Sequence, residues 1–175
     1  MTIIDHPKMN DDYDQTYADV LVTIDVLSND NGDYDSSTTK KLTDTRNGNI
    51  DKKPDNTFTH TPNAGYVGFD TFTYDICNAN ISVSSSATVN MTIIAHPKTN
   101  DDYDETYVDV LVTIHILSNN SGNYDSSTTE KLTDPRNASI VKNPDNTYTN
   151  IPNAGYVCFY IFIYKLCNVD IIVCS

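Results

Sequence analysis

The stretch Asn29-Asp30-Asn31-Gly32-Asp33-Tyr34-Asp35 sets oxygen-bearing side chains at alternate positions 29, 31, 33 and 35, with a further carboxylate at Asp30. Calcium is a hard cation that takes six to eight oxygens at short range, and an acidic turn with this alternation gathers several of them. Asp11 and Asp12 add carboxylates if the first strand of the fold runs beside the loop. The glycine is misplaced for an EF-hand, and no glutamate closes the loop. The same residue types also build an acidic turn held by side-chain hydrogen bonds to its own backbone, so a metal loop and a plain turn both remain open.

Whatever this loop does, it does twice. Residues 1–85 align with 91–175 without a gap, and roughly two-thirds of the paired positions are identical. NDDYD at Asn10 returns at Asn100, DVLVTI at Asp19 returns at Asp109, and PNAGYV at Pro62 returns at Pro152. A period near 90 residues is too long for one turn of a solenoid and suits a small independent domain. The second copy is a built-in control for the acidic loop. Asp25, Asp30 and Asp33 become His115, Asn120 and Asn123, so any calcium site there is expected to be weaker.

Each copy reads as β. Val20, Val22, Ile24 and Val26 alternate with polar residues, as do Phe72, Tyr74 and Ile76, and then Ala87, Val89, Met91 and Ile93. Thr57–Thr61 alternates too. Asn29–Gly32, Asn47-Gly48, Pro54-Asp55-Asn56 and Pro62–Gly65 supply turns between these runs. No segment holds a helical period. The pattern predicts all-β architecture, with antiparallel strands in a sandwich for each copy. Met1–Ile4 repeats the end of the last strand, Met91–Ile94, whereas Ser175 corresponds to Ser85. The expected organisation is a strand tail over 1–4, one repeat over 5–94, and a diverged, truncated repeat over 95–175, cut from a longer array. A second possibility is that Met1–Ile4 supplies a strand to a neighbouring molecule.

The 24 acidic side chains against 11 basic ones give a formal charge of −13, which argues against nucleic acid and anionic membrane surfaces as partners. No apolar run is long enough for membrane insertion as a helix. Nucleophile elbows, phosphate-cradling glycine loops and HExxH are missing, and the aspartates sit in turns where their pKa values are not expected to separate, so no catalysis is expected. The histidines form no zinc pattern: His6 and His96 recur in an HPK junction, and His60 and His115 have no counterpart.

The ordered motifs resemble a known family. Asp25-Val26-Leu27-Ser28-Asn29-Asp30, then Asn47-Gly48, then Asp55–Pro62, then Pro62-Asn63-Ala64-Gly65-Tyr66-Val67-Gly68-Phe69-Asp70-Thr71-Phe72-Thr73-Tyr74, and Ala87–Ile93 follow the pattern of bacterial Ig-like or cadherin-like tandem repeats of large surface proteins. The resemblance covers essentially the whole chain. It implies immunoglobulin-like sandwiches acting as spacer or adhesion modules at the cell surface or outside the cell, with neighbouring repeats as partners and no enzymatic role. The runner-up is a module that binds a protein or glycan ligand directly, for which Tyr13, Tyr34, Tyr103 and Tyr124 are the residues to watch. Some members place two cysteines around the last hairpin, so the resemblance implies a disulfide between Cys167 and Cys174. Cys77 and Cys158 are then left as buried thiols. Tyr66 and Tyr156 read as corner tyrosines. The run Tyr156–Leu166 has become apolar on both faces, through changes such as Thr71 to Ile161 and Thr73 to Ile163, and invites either a partner or aggregation.

Overall fold

The computed structural model describes residues 6–80, 83–157, 159–168 and 174–175. The chain divides into two compact units, Met1–Ala95 and His96–Ser175. Met1–Ile4 and Cys158 lie outside the described residues.

Unit 1 is a sandwich of seven strands: β1 (Asp12–Tyr17), β2 (Val22–Ile24), β3 (Lys40–Lys41), β4 (Gly48–Lys52), β5 (Phe58–Pro62), β6 (Gly68–Cys77) and β7 (Ser84–Ile94). One sheet has the order β1-β7-β6-β3 and the other β2-β5-β4. Alternation explains the long hairpin. Phe72, Tyr74 and Ile76 of β6 and Ala87, Val89, Met91 and Ile93 of β7 all face inward and are buried. Their register sets Phe72 opposite Val89 and Tyr74 opposite Ala87, so a large ring meets a small or branched side chain across the pair. Phe58 from the second sheet closes the core, 5.2 Å from Phe72 between ring centroids. Each such buried side chain contributes roughly 1.5–3 kcal/mol of burial free energy.

The pairing is antiparallel as expected except at one edge, where β1 runs parallel to β7, from Asp12 opposite Val89 to Tyr17 opposite Ile94. β2 is also shorter than the alternation at 20–26 suggests, because Ser28 N–H and Ser28 Oγ–H both bond back to the Asp25 carbonyl and turn the chain. The HPK segments are tied into their own units. Lys8 bridges to Asn31 and Lys98 to Ser121, each anchoring its segment to the acidic loop of its own unit. Gly32, at φ +89°, lies so close that a Cβ would stand 2.1 Å from the His6 carbonyl oxygen. Only glycine tolerates that approach.

Unit 2 has β8 (Val112–Ile114), β9 (Glu130–Lys131), β10 (Ala138–Lys142), β11 (Tyr148–Pro152) and β12 (Tyr164–Lys165), in sheets β10-β11-β8 and β12-β9. Among the described residues no strand corresponds to β7, and the stretch equivalent to β1 forms none. The core is smaller than that of unit 1. Ile116, Ile140 and Tyr148 remain buried, with Phe162 and Tyr164 only partly covered. Tyr17 is 1% exposed, but its counterpart Tyr107 is 84% exposed.

Beneath the β4–β5 hairpin, His60 is fully buried with Nε2 3.3 Å from Asp70 Oδ2. The site depends on a glycine: a Cβ at Gly48 would lie 2.3 Å from His60 Nε2 and 2.7 Å from the Thr61 carbonyl. The second unit changes all three members together, to Ala138, Asn150 and Tyr160. A smaller amide thus accompanies the added methyl. Gly48→Ala alone is expected to cost unit 1 about 1–3 kcal/mol through overpacking. His60→Asn in the same chain should restore part of it, giving a favourable coupling in a double-mutant cycle followed by chemical denaturation. Strictly additive losses would show that the His60 ring is not what excludes the methyl.

Candidate functional site

The register that aligns Asp12 with Val89 turns the Asp12 side chain toward the core, where it is 7% exposed and its Oδ2 makes no hydrogen bond. Asp30 arrives from the loop after β2. Its Oδ1 accepts from the Asn10 amide at 2.8 Å, and its Oδ2 lies 2.8 Å from the Tyr74 hydroxyl. Tyr74, on β6, also reaches the Val26 carbonyl at 2.8 Å. One phenolic proton therefore faces two acceptors, with a second carboxylate beside them.

Electrostatics follow from this crowding. Burial, and then the neighbouring charges of Asp30, Asp11 and Asp25, push the Asp12 carboxyl up to about 7, while the Tyr74 hydroxyl offsets them in part. Tyr74 is driven far above the ordinary phenol range, first by burial and then by its bond to Asp30 and the charge of Asp12. In unit 2 the same place holds Asp102, Asn120 and Tyr164. There the Asn120 amide nitrogen donates to the Ile116 carbonyl at 2.8 Å, and the Tyr164 hydroxyl lies 3.1 Å from Asp102 Oδ2. Burial still raises Asp102, and it takes Tyr164 to about 12, but no second carboxylate stands at Asn120.

Of the loop residues singled out for calcium, Asp12 and Asp30 converge on Tyr74. Of the others, Asp11 Oδ1 accepts from the Thr88 amide of β7 at 2.9 Å, and the asparagines and Asp35 serve the turn. The Asn29 amide donates to the Asp11 carbonyl at 3.1 Å, and the Asn29 carbonyl accepts from Asn10 and Asn31. Asn31 pairs with Lys8 through its backbone. Asp35 Oδ1 accepts from the Ser37 amide at 2.9 Å and caps the 3-10 turn Ser36–Thr38, which holds this exposed carboxyl below its usual range. Asp33 is exposed. Among the described residues, no group of three or more His, Cys, Asp or Glu side chains is arranged to hold a metal ion. Tyr74 escaped sequence reading as a member of this cluster. The signal was the change of Asp30 to Asn120 while Asp12/Asp102 and Tyr74/Tyr164 stayed the same.

The watched tyrosines divide. Tyr34 and Tyr124 are half-buried, whereas Tyr13 and Tyr103 stand out from the surface. Tyr13 and Phe69, 79% and 77% exposed, border a concavity of about 270 Å3 on the outer face of the β1-β7-β6 sheet, lined also by Asp14, Thr71, Asn90 and Thr92. Tyr66 is half-buried against the core, and its hydroxyl donates to the Phe69 carbonyl at 2.8 Å. Cys167 and Cys174 form a disulfide. Cys77 is a free thiol, half-buried rather than buried.

The Bacterial Ig domain family matches residues 4–92, just over half of the chain. No curated protein matches it. Several solved structures are similar at low identity. A three-domain Ig fragment of titin is 11% identical, with a TM-score of 0.45, over 87% of this chain and 57% of that one. Extracellular domains 3–5 of Drosophila OTK are 12% identical, with a TM-score of 0.37, over 93% and 59%. An endo-fucoidan hydrolase of glycoside hydrolase family 107 is 12% identical, with a TM-score of 0.38, over 97% of this chain but only 27% of that one.

The pH dependence of unit 1 tests the geometry. Asp12 binds its proton more tightly folded than unfolded, so its contribution is fully present at low pH and is lost as pH rises through about 7. His60 acts in the opposite sense: burial holds it below its usual 6.5 against the pull of Asp70, so unit 1 loses stability as pH falls below that value. Unit 1 should therefore gain stability, by about 1 kcal/mol or less, between pH 8 and 6.5, and then level off or fall. Asp12→Asn should abolish the gain, read by thermal melts across that window. A wild-type profile flat from 8 to 6.5 would mean that Asp12 is not buried as a carboxylate.

Proposed function

The chain belongs to the bacterial Ig domain family, and on that premise we propose that it serves as a non-enzymatic structural repeat of a secreted or cell-surface protein, a spacer in an adhesion stalk whose immediate partners are neighbouring repeats. The observation that carries this reading is the recurrence of one element order at a constant 90-residue offset: β2, β4 and β5 return as β8, β10 and β11. A spacer needs its fold reproduced in series more than it needs a pocket. Among the described residues, no helix is long and apolar enough to cross a membrane. The high negative charge favours mutual repulsion of modules over their association.

Calcium stiffening is a finer version of this reading. Its support is one atom, the buried and unpartnered Asp12 Oδ2 beside Asp30. A divalent cation between these two carboxylates would satisfy both, and loop carbonyls and water would have to complete its shell. A second reading, direct adhesion, draws on the exposed Tyr13 and Phe69. Aromatic rings beside amide and hydroxyl groups suit a glycan, whose C–H faces pack on rings while its hydroxyls hydrogen-bond.

Melting the full chain with and without calcium separates these readings. Stiffening requires a calcium-dependent rise of the unit 1 transition that disappears in Asp30→Asn, while unit 2, which already carries Asn120, does not respond. Equal rises in both units would exclude this loop as the site. Glycan-array binding lost in both Tyr13→Ala and Phe69→Ala, with melting temperatures unchanged, would replace the spacer reading with the adhesive one. No calcium response and no glycan binding would leave a plain spacer.

A further inference from the structure

The two units build one seam from nearly the same residues. β3 pairs with β6 in unit 1 and β9 with β12 in unit 2, each antiparallel and in equivalent register. The chain around the shorter strand repeats almost unchanged: residues 34–46 return as 124–136, differing at Lys40/Glu130 and Thr45/Pro135 alone. The hydrogen bonds repeat as well. Thr38 Oγ1 donates to the Cys77 carbonyl as Thr128 Oγ1 does to that of Cys167. The Leu42 amide donates to the Thr73 carbonyl as the Leu132 amide does to that of Ile163. The segment 159–167, equivalent to β6, would therefore find the same backbone partners beside β3. Tandem repeats this alike carry a hazard, the exchange of equivalent strands between units of one chain or of two.

One pair departs from the repetition. Lys40 Nζ lies 3.3 Å from Asp75 Oδ2, directly across β3 and β6. At the same place in unit 2, Lys165 Nζ lies 2.7 Å from Glu130 Oε2. Both members have changed sign, so each unit keeps its attraction. Crossed partners lose it. Lys40 would face Lys165 and Glu130 would face Asp75, and like charges directly opposite destabilise an antiparallel pair. A second position points the same way. Asp70 accepts from the Arg46 and Asn47 amides, both at 3.0 Å, and a strand from unit 2 brings Tyr160 there in place of the carboxylate.

We propose that the reversed ion pair is a matching device, by which β3 accepts its own β6 and rejects the equivalent strand of the neighbouring repeat. It acts on assembly more than on the finished fold. Lys40 and Glu130 are exposed, and exposed ion pairs add little to the stability of either unit. Discrimination needs only the difference between matched and crossed partners, and here attraction is set against repulsion.

A covalent trap reads the crossed arrangement directly. The Thr43 and Thr73 hydroxyls stand 3.0 Å apart across the seam, and Ile163 is the unit 2 equivalent of Thr73. The full chain carrying Thr43→Cys and Ile163→Cys is refolded from denaturant under oxidising conditions. The 43–163 disulfide is then quantified by peptide mass spectrometry in three charge backgrounds. Lys40→Glu with Asp75→Lys gives both units the same orientation of the pair, and the crossed link should rise at least threefold over the original charges. Adding Glu130→Lys and Lys165→Glu restores the opposition and should return the link to its starting level. An unchanged yield in the twofold variant overturns the proposal. A rise that persists in the fourfold variant also overturns it, because the rise would then report a weakened unit 1 and not lost matching.

Discussion

The larger sheet of unit 1 depends on one strand being enclosed on both edges. Among the described residues, β7 alone has two long neighbours, pairing over Ser84–Ile93 with β6 and over Val89–Ile94 with β1. In that second half its backbone is paired on both sides, while Ala87, Val89, Met91 and Ile93 fill the space beneath. In unit 2 the β10-β11-β8 sheet keeps the register of its counterpart, while among the described residues the other sheet is the two-residue pair β12-β9. Within unit 1 the β4–β5 hairpin is local, whereas β2 pairs with β5 across more than thirty residues. Non-local pairing of β1 with β7, more than seventy residues apart, carries the larger loop-closure cost.

The two units also differ in how they treat buried polar groups. Unit 1 places titratable clusters under its sheets: Asp12, Asp30 and Tyr74 at one place, His60 and Asp70 at another. Asp70 is well supplied, accepting from the amides of Arg46, Asn47 and Thr71, so its charge has partners that do not depend on His60. Asp12 has no comparable set. Unit 2 replaces Asp30 with Asn120, His60 with Asn150 and Asp70 with Tyr160. Each change removes a carboxylate or imidazole from a buried or half-buried place, where an ion without full pairing is costly.

The legible parts of the fold were those with strong alternation. β5, β6 and β7 announce themselves through Phe58, Phe72, Tyr74, Val89 and Met91, and the turns through their Asn-Gly and Pro-Asn pairs. β1 was opaque because DYDQTY shows no apolar alternation. It is held by backbone pairing to β7, and its inward residues are an aspartate, a threonine and a tyrosine. Its parallel direction was opaque for the same reason, since pairing direction leaves no mark on an edge strand of this composition. At the acidic loop, the oxygen spacing was readable and its use was not. Whether a carboxylate caps a turn, as Asp35 does, or enters the core, as Asp12 does, depends on the register of a strand many residues away.

The disulfide completes this picture of unit 2. Cys167 and Cys174 are seven residues apart, at the hairpin where Cys77 and Ser84 of unit 1 pair without a covalent link. Closing so short a loop limits the unfolded chain by about 2–3 kcal/mol on the entropic account. That is comparable to what a few ladder hydrogen bonds contribute once their exchange with water is counted. The bond therefore fixes covalently what unit 1 leaves to backbone pairing, and the two hydrogen bonds exchanged by Leu166 and Ser175 continue the same register beside it.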